Sequence, residues 1–226
     1  MTVPEALRDP ALRRFRLRRH RLHCAGGELS VVAPARGDDL LEGPRAAACL
    51  RSGQMPYWAD IWPASVGMAR ALMRGPERAG CRALDLGCGI GVAGLAAGRR
   101  GAMVHFADLS PDALQFARFN SRGLPARVTF QQLDWSRETV DGSFDLLLLA
   151  DVAYEERNSE PLARHLDRCL APRGVGLLTD PYRAATDAFL DRLQGGDFTL
   201  DETRLDTAFG GQRFALRLVE IRRRTS

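Results

Sequence analysis

From residue 82 onward, short contiguous apolar runs alternate with segments whose apolar positions recur every three or four residues. RALDLG (82–87), MVHFAD (103–108), RVTFQQLD (127–134), FDLLLLAD (144–151) and GVGLLTD (174–180) read as buried strands. FDLLLLAD is the most apolar of them and is expected at the centre of the sheet. Between them, VAGLAAGRRG (92–101), PDALQFARFNSRG (111–123) and stretches near 158–170 and 183–194 carry the helical period. Strand and helix alternating at this spacing imply an α/β fold with a doubly wound, mostly parallel sheet. FTLDETRL (198–205) and RFALRLVEI (213–221), joined through FGGQ, follow one another without a helix, so the seventh strand should close the sheet in the antiparallel sense.

Upstream the pattern is different. RRFRLRRHRLHC (13–24), the turn signal AGG and the β-rich ELSVVAP (28–34) read as a hairpin with arginines on its wet face. DDLLEGPRAAACLRSG (38–53) reads as a short helix and a linker, and PASVGMARALMRG (63–75) as a helix that starts on a proline, keeps Val66, Ala69, Leu72 and Met73 on one side and stops at Gly75. The expected organisation is an N-terminal extension over 1–53 and one ligand-binding domain over 54–226.

The candidate chemistry lies at strand ends. In an open parallel sheet, ligands bind beyond the carboxyl ends of the strands, where strand order reverses. The loop there is LDLGCGIG, with Gly87, Gly89 and Gly91; position 92 is Val, so the third glycine of a dinucleotide fingerprint is missing. Asp85 precedes the loop by two residues, and a carboxylate there repels a phosphate but suits a cationic ligand. S-adenosylmethionine carries an ammonium and a sulfonium and no phosphate. Asp108, 21 residues after Gly87, is spaced to accept hydrogen bonds from ribose hydroxyls. Asp134 and Trp135 follow the third strand, where an acid can take an adenine amino group and an indole can cover its face; a turn-capping role for Asp134 is equally open. Trp62, just before a helix leading into the loop, is a candidate wall of the same pocket, with packing of the helix as the alternative.

Composition narrows the setting. All 32 basic residues are arginine, for a net charge of +4, and the densest run is in the hairpin. That run lacks the interleaved aromatics of an RNA-binding surface, so a solvated face is favoured over nucleic-acid binding. Five cysteines with no CxxC pair indicate neither a disulfide framework nor a metal cluster. No apolar run is long enough to span a bilayer, and the Arg-rich start is not followed by the apolar stretch of a secretory signal. The expectation is a soluble cytoplasmic protein without metal or membrane partner.

The LDLGCGIG loop, Asp108 and the reversed last hairpin resemble the class I, seven-β-strand S-adenosylmethionine-dependent methyltransferases over about residues 54 to 222. More narrowly, PYWADIWPASVGMARAL (56–72) and DVAY (151–154) resemble the protein-lysine methyltransferases marked by DxxY after the fourth strand. LLTDPYR (177–183) is similar to the members that modify the β-subunit of electron transfer flavoprotein, although their usual DPG is here Asp180, Pro181, Tyr182. The resemblance implies methyl transfer to a protein lysine, with Asp151 and Tyr154 as the catalytic pair and that β-subunit as a candidate partner. Two other readings stay open on the residues alone: N-methylation of a small amine or heterocycle, and a non-catalytic adenosine-binding module. Base or glutamine-amide methylation would call for an NPPY-type motif where DVAY stands.

Overall fold

The computed structural model describes residues 2–37, 40 and 55–224. A short helix α1 (Val3–Leu7) precedes the hairpin β1 (Leu17–Cys24) and β2 (Gly27–Pro34), and α2 (Pro63–Arg74) leads into β3 (Arg82–Leu86). There follow α3 (Val92–Arg99), β4 (Met103–Asp108), α4 (Pro111–Asn120), β5 (Val128–Gln132), β6 (Phe144–Ala150), α5 (Ser159–Cys169), β7 (Leu170–Asp180), α6 (Ala184–Gln194), β8 (Phe198–Phe209) and β9 (Gln212–Arg223). The helix and linker expected over 38–53 lie, apart from Leu40, outside the described residues.

The seven-stranded sheet has the order β5-β4-β3-β6-β7-β9-β8, with β9 antiparallel to both its neighbours. The doubly wound sheet and its antiparallel finish are therefore as the pattern predicts. Strand order reverses between β3 and β6, which puts the glycine loop at the switch point. The apolar run of β6 is buried from Leu146 to Leu149 because helices cover both faces there. One face packs α5 and α6; the other packs α2, α3, α4 and the hairpin, whose Leu22, Leu29, Val31 and Val32 share a continuous core with Phe106 and Phe116. No described helix is long and apolar enough to cross a membrane, and no described group of His, Cys, Asp and Glu could hold a metal.

The final hairpin is longer than its hydrophobic pattern indicates. Gly210 and Gly211 both have positive φ (59° and 82°), which closes the ladder in a two-residue turn between Phe209 and Gln212. DTAF (206–209), beyond the expected strand, is thereby paired strand, with Asp206 and Ala208 exposed, Thr207 buried and Phe209 half-buried.

Candidate functional site

Each carboxyl-edge residue singled out above sits at the end of a strand, because parallel strands deliver their last side chain and the following loop to the same edge. The glycine loop turns through Gly87 (φ 68°), Gly89 (φ 52°) and Gly91 (φ 92°), all left-handed. At Gly87 a Cβ would stand 2.8 Å from Val152 Cγ1 and 2.9 Å from Trp135 Cη2, so the indole lies on the loop itself. At Gly89 a Cβ would come within 3.3 Å of the Trp58 carbonyl oxygen, because the turn Tyr57–Ala59 crosses above it. The Trp58 ring points away into the core, 5.8 Å from Phe116 and 6.1 Å from Phe15.

Asp85 is turned inward. Its Oδ2 accepts a hydrogen bond from the Gly94 N–H at 2.8 Å in the first turn of α3, and burial pushes its pKa up to about 7 against that bond. Asp108 is also buried, at 8% exposure, and burial raises it to about 6 although Gly89 and Ser110 N–H groups each donate to it at 2.8 Å. Neither carboxylate has a cationic partner among the described residues. Asp85 therefore ties β3 to α3 rather than facing a ligand as its spacing suggested, whereas Asp108, bonded to the glycine loop at Gly89, fits a ligand that brings hydroxyl donors, as the ribose of S-adenosylmethionine does. Asp134 has the capping arrangement: its Oδ1 accepts from the Ser136 N–H at 3.0 Å and the Ser136 hydroxyl at 2.5 Å.

The other half of the edge, above β6 and β7, is aromatic. Tyr57 lies between Trp62 (ring centroids 6.1 Å) and Tyr154 (5.7 Å), both edge to face, and the Trp62 Nε1–H donates to the Tyr57 carbonyl at 2.8 Å. Burial raises the Tyr154 phenol above its ordinary pKa, with Glu155 adding to the effect, so the phenol keeps its proton. Asp151 adopts a left-handed backbone (φ 56°) immediately after β6. Its nearly buried carboxylate is held on both oxygens by Arg183, Nε to Oδ1 at 2.7 Å and Nη2 to Oδ2 at 3.0 Å, and the same guanidinium lies 6.0 Å from the centre of the Trp62 ring. Bonding to Asp151 raises the Arg183 pKa further, outweighing its partial burial.

Sequence reasoning missed Arg183, Tyr57 and Asn120. Asn120, at the end of α4, donates to the carbonyls of Val32 (2.9 Å) and Ile90 (3.1 Å) and accepts from the Val32 N–H (2.9 Å), fastening β2 to the glycine loop. Arg183 had one available signal, its place two residues after the Asp-Pro that ends β7. Tyr182 before it is left-handed (φ 59°), a conformation that glycine takes more easily than tyrosine; its ring packs 5.3 Å from the guanidinium carbon of Arg217, itself buried on Asp180 and Asp187.

Comparison with known proteins identifies the family. The model of a family described as lysine methyltransferase matches residues 55–195. The electron transfer flavoprotein beta subunit lysine methyltransferase of Danio rerio is 39% identical over 137 residues, 57% of this chain and 51% of that protein. Protein N-lysine methyltransferase METTL21A of Mus musculus is 32% identical over 163 residues, 68% of this chain and 74% of that protein. The chain thus spans about half the length of the first relative and about three quarters of the second. Among solved structures, the N-methyltransferase NodS from Bradyrhizobium japonicum WM9 matches with a TM-score of 0.56 at 16% identity, over 71% of this chain and 94% of its own. A TehB-like SAM-dependent methyltransferase from Corynebacterium glutamicum gives 0.54 at 21%, over 83% and 98%. These two likenesses speak for the fold alone. The chain belongs to the lysine methyltransferase family.

Proposed function

We propose that this protein transfers a methyl group from S-adenosylmethionine to the ε-amine of a lysine in a protein. The observation that carries the reading is the recess formed by Tyr57, Trp62 and Tyr154 around the Asp151–Arg183 pair, one strand over from the glycine loop. S-adenosylmethionine supplies an already activated methyl on a sulfonium. Asp108 would accept from its ribose, the left-handed turn through Gly87 and Gly89 would lie beneath it, and Trp135, packed on Gly87, would wall the pocket.

The remaining work falls to the recess. A lysine amine of pKa near 10.4 must lose its proton to attack, which costs roughly 4 to 5 kcal/mol at pH 7. Aromatic walls withhold water from an ammonium, and the fixed charge of Arg183 disfavours a second cation beside it. Asp151 keeps further lone pairs on each oxygen and can accept a hydrogen bond from the incoming amine, orienting its own lone pair. Tyr154, protonated throughout the physiological range, can share that task.

Relatives named for the electron transfer flavoprotein beta subunit make that subunit the first acceptor to test. Incubation of the two proteins from one source with S-adenosylmethionine, followed by peptide mass spectrometry, should show added methyls on lysine. Label confined to small molecules would give the site to a free amine instead.

A further inference from the structure

The carboxyl edge has a second concavity that the methyl-transfer chemistry does not use. Because β8 runs parallel to β7, its far end reaches the same edge as the site. The last β7–β9 pair is Asp180 with Arg217, and the β8–β9 ladder continues five residues further to Gln212, an arm projecting about 17 Å at roughly 3.4 Å per residue. Arg70 holds the arm in place: its guanidinium donates to the Thr207 hydroxyl (2.5 Å), the Ala208 carbonyl (2.8 Å) and the His23 carbonyl at the end of β1 (3.1 Å). Between arm and hairpin lies a groove of about 440 Å³, walled by His20, Ala33, Pro34, Phe209, Phe214 and Trp62.

Three observations bear on its occupant. Trp62 is a wall of this groove and also of the recess beside Asp151, so the two adjoin at its ring. The groove lies on the β7–β9–β8 side of the edge, away from the nucleoside side over β3, β4 and β5. Beside its Trp62 wall the edge-to-face ring of Tyr57 is 44% exposed, Asp60 also lines it, and next to its His20 wall the exposed Arg18 shares the same strand face and makes no salt bridge among the described residues.

We propose that this groove seats an extended stretch of the acceptor protein flanking the methylated lysine, with apolar side chains against Phe209 and Phe214 and an acidic side chain at the Arg18 end. The proposal rests on the lysine-methylation reading. A metabolite needs only the recess, whereas a polypeptide whose lysine enters the recess must leave along the surface, and the groove is the concave surface that adjoins it at Trp62.

The test uses the full chain and electron transfer flavoprotein beta subunit, or whichever lysate protein the unmodified enzyme labels. Gln212→Trp, at an exposed position on the arm, fills the groove, and Phe214→Ser removes a half-buried wall. Each should raise KM for the protein at least tenfold, with kcat and calorimetric S-adenosylmethionine affinity within twofold. Arg18→Glu should raise KM about threefold to tenfold, and more at low salt than at high salt. Unchanged KM in both Gln212→Trp and Phe214→Ser overturns the proposal, as does a loss expressed only in cofactor affinity. If the unmodified enzyme labels no protein at all, the lysine reading itself fails and the groove proposal falls with it, a result distinct from label that the groove variants leave intact.

Discussion

Asp151→Asn is the perturbation whose size follows most directly from the structure. The carboxylate receives two charge-assisted hydrogen bonds from Arg183. Asparagine fits the left-handed backbone at this position (φ 56°) at least as well as aspartate, so the fold should survive. It offers only one oxygen, however, and turns an amide N–H₂ toward the second guanidinium donor. The loss is one charge-assisted hydrogen bond, about 1.5 to 3 kcal/mol, together with the negative charge that the incoming amine would meet. Removing a positioned proton acceptor costs on the order of a hundredfold in rate, and at 1.36 kcal/mol per decade that is about 2.7 kcal/mol. Methyl transfer should therefore fall about a hundredfold in single-turnover assays, while S-adenosylmethionine affinity by calorimetry stays within a few-fold. Arg183→Gln should lose a similar factor, and the double variant little more than either single one, because both act through one pair. Wild-type turnover in Asp151→Asn, or losses that multiply in the double variant, would refute the reasoning.

The other predictions are these. Gly87→Val should abolish S-adenosylmethionine binding in calorimetry, since its side chain would meet Trp135 and Val152 at a positive φ that β-branched residues avoid; measurable binding would show the loop yields. Asp85 has a folded pKa of about 7 against an ordinary 3.8, so between those values the folded chain holds a proton the unfolded chain has lost, and stability falls as pH rises through that window. Asp85→Asn, which can still accept from Gly94, should then raise the thermal midpoint of the ligand-free protein at pH 8 and flatten its dependence from pH 4 to 7; a lower midpoint at pH 8 would contradict this. Asn120→Leu strands the Val32 N–H and C=O and the Ile90 carbonyl, and should cost about 3 kcal/mol or more in denaturant unfolding at roughly 1 kcal/mol or more per buried group. Asp108→Ala should weaken S-adenosylmethionine binding by about 1.5 to 3 kcal/mol, and wild-type affinity should itself decline as pH drops through about 6, where Asp108 gains a proton.

The inner parallel strands were legible because both faces are covered, so burial writes a contiguous apolar run into the sequence, as in β6. The outer half of the β8–β9 arm was not, since the alternation there runs through short polar and small residues, with Thr207 buried and Asp206 and Ala208 exposed, so inside and outside differ little in hydrophobicity; Gly210-Gly211 marks its turn. Strand-end acids could be located by spacing, but spacing does not reveal orientation. Asp85 faces α3 and Asp134 caps its own turn, and both outcomes depend on which backbone N–H lies nearest after folding. Arg183 and Asn120 act across 32 and 88 residues of chain respectively, so their partners exist only in three dimensions.

The most direct measurement of the central claim is incubation of the full chain with methyl-labelled S-adenosylmethionine and a lysate of its own source, with label separated into protein, nucleic acid and small-molecule fractions and the labelled protein mapped by mass spectrometry. Label on lysine side chains of one or a few proteins, lost in Asp151→Asn, is the expected result. Tight S-adenosylmethionine binding with no label on any protein lysine would contradict it.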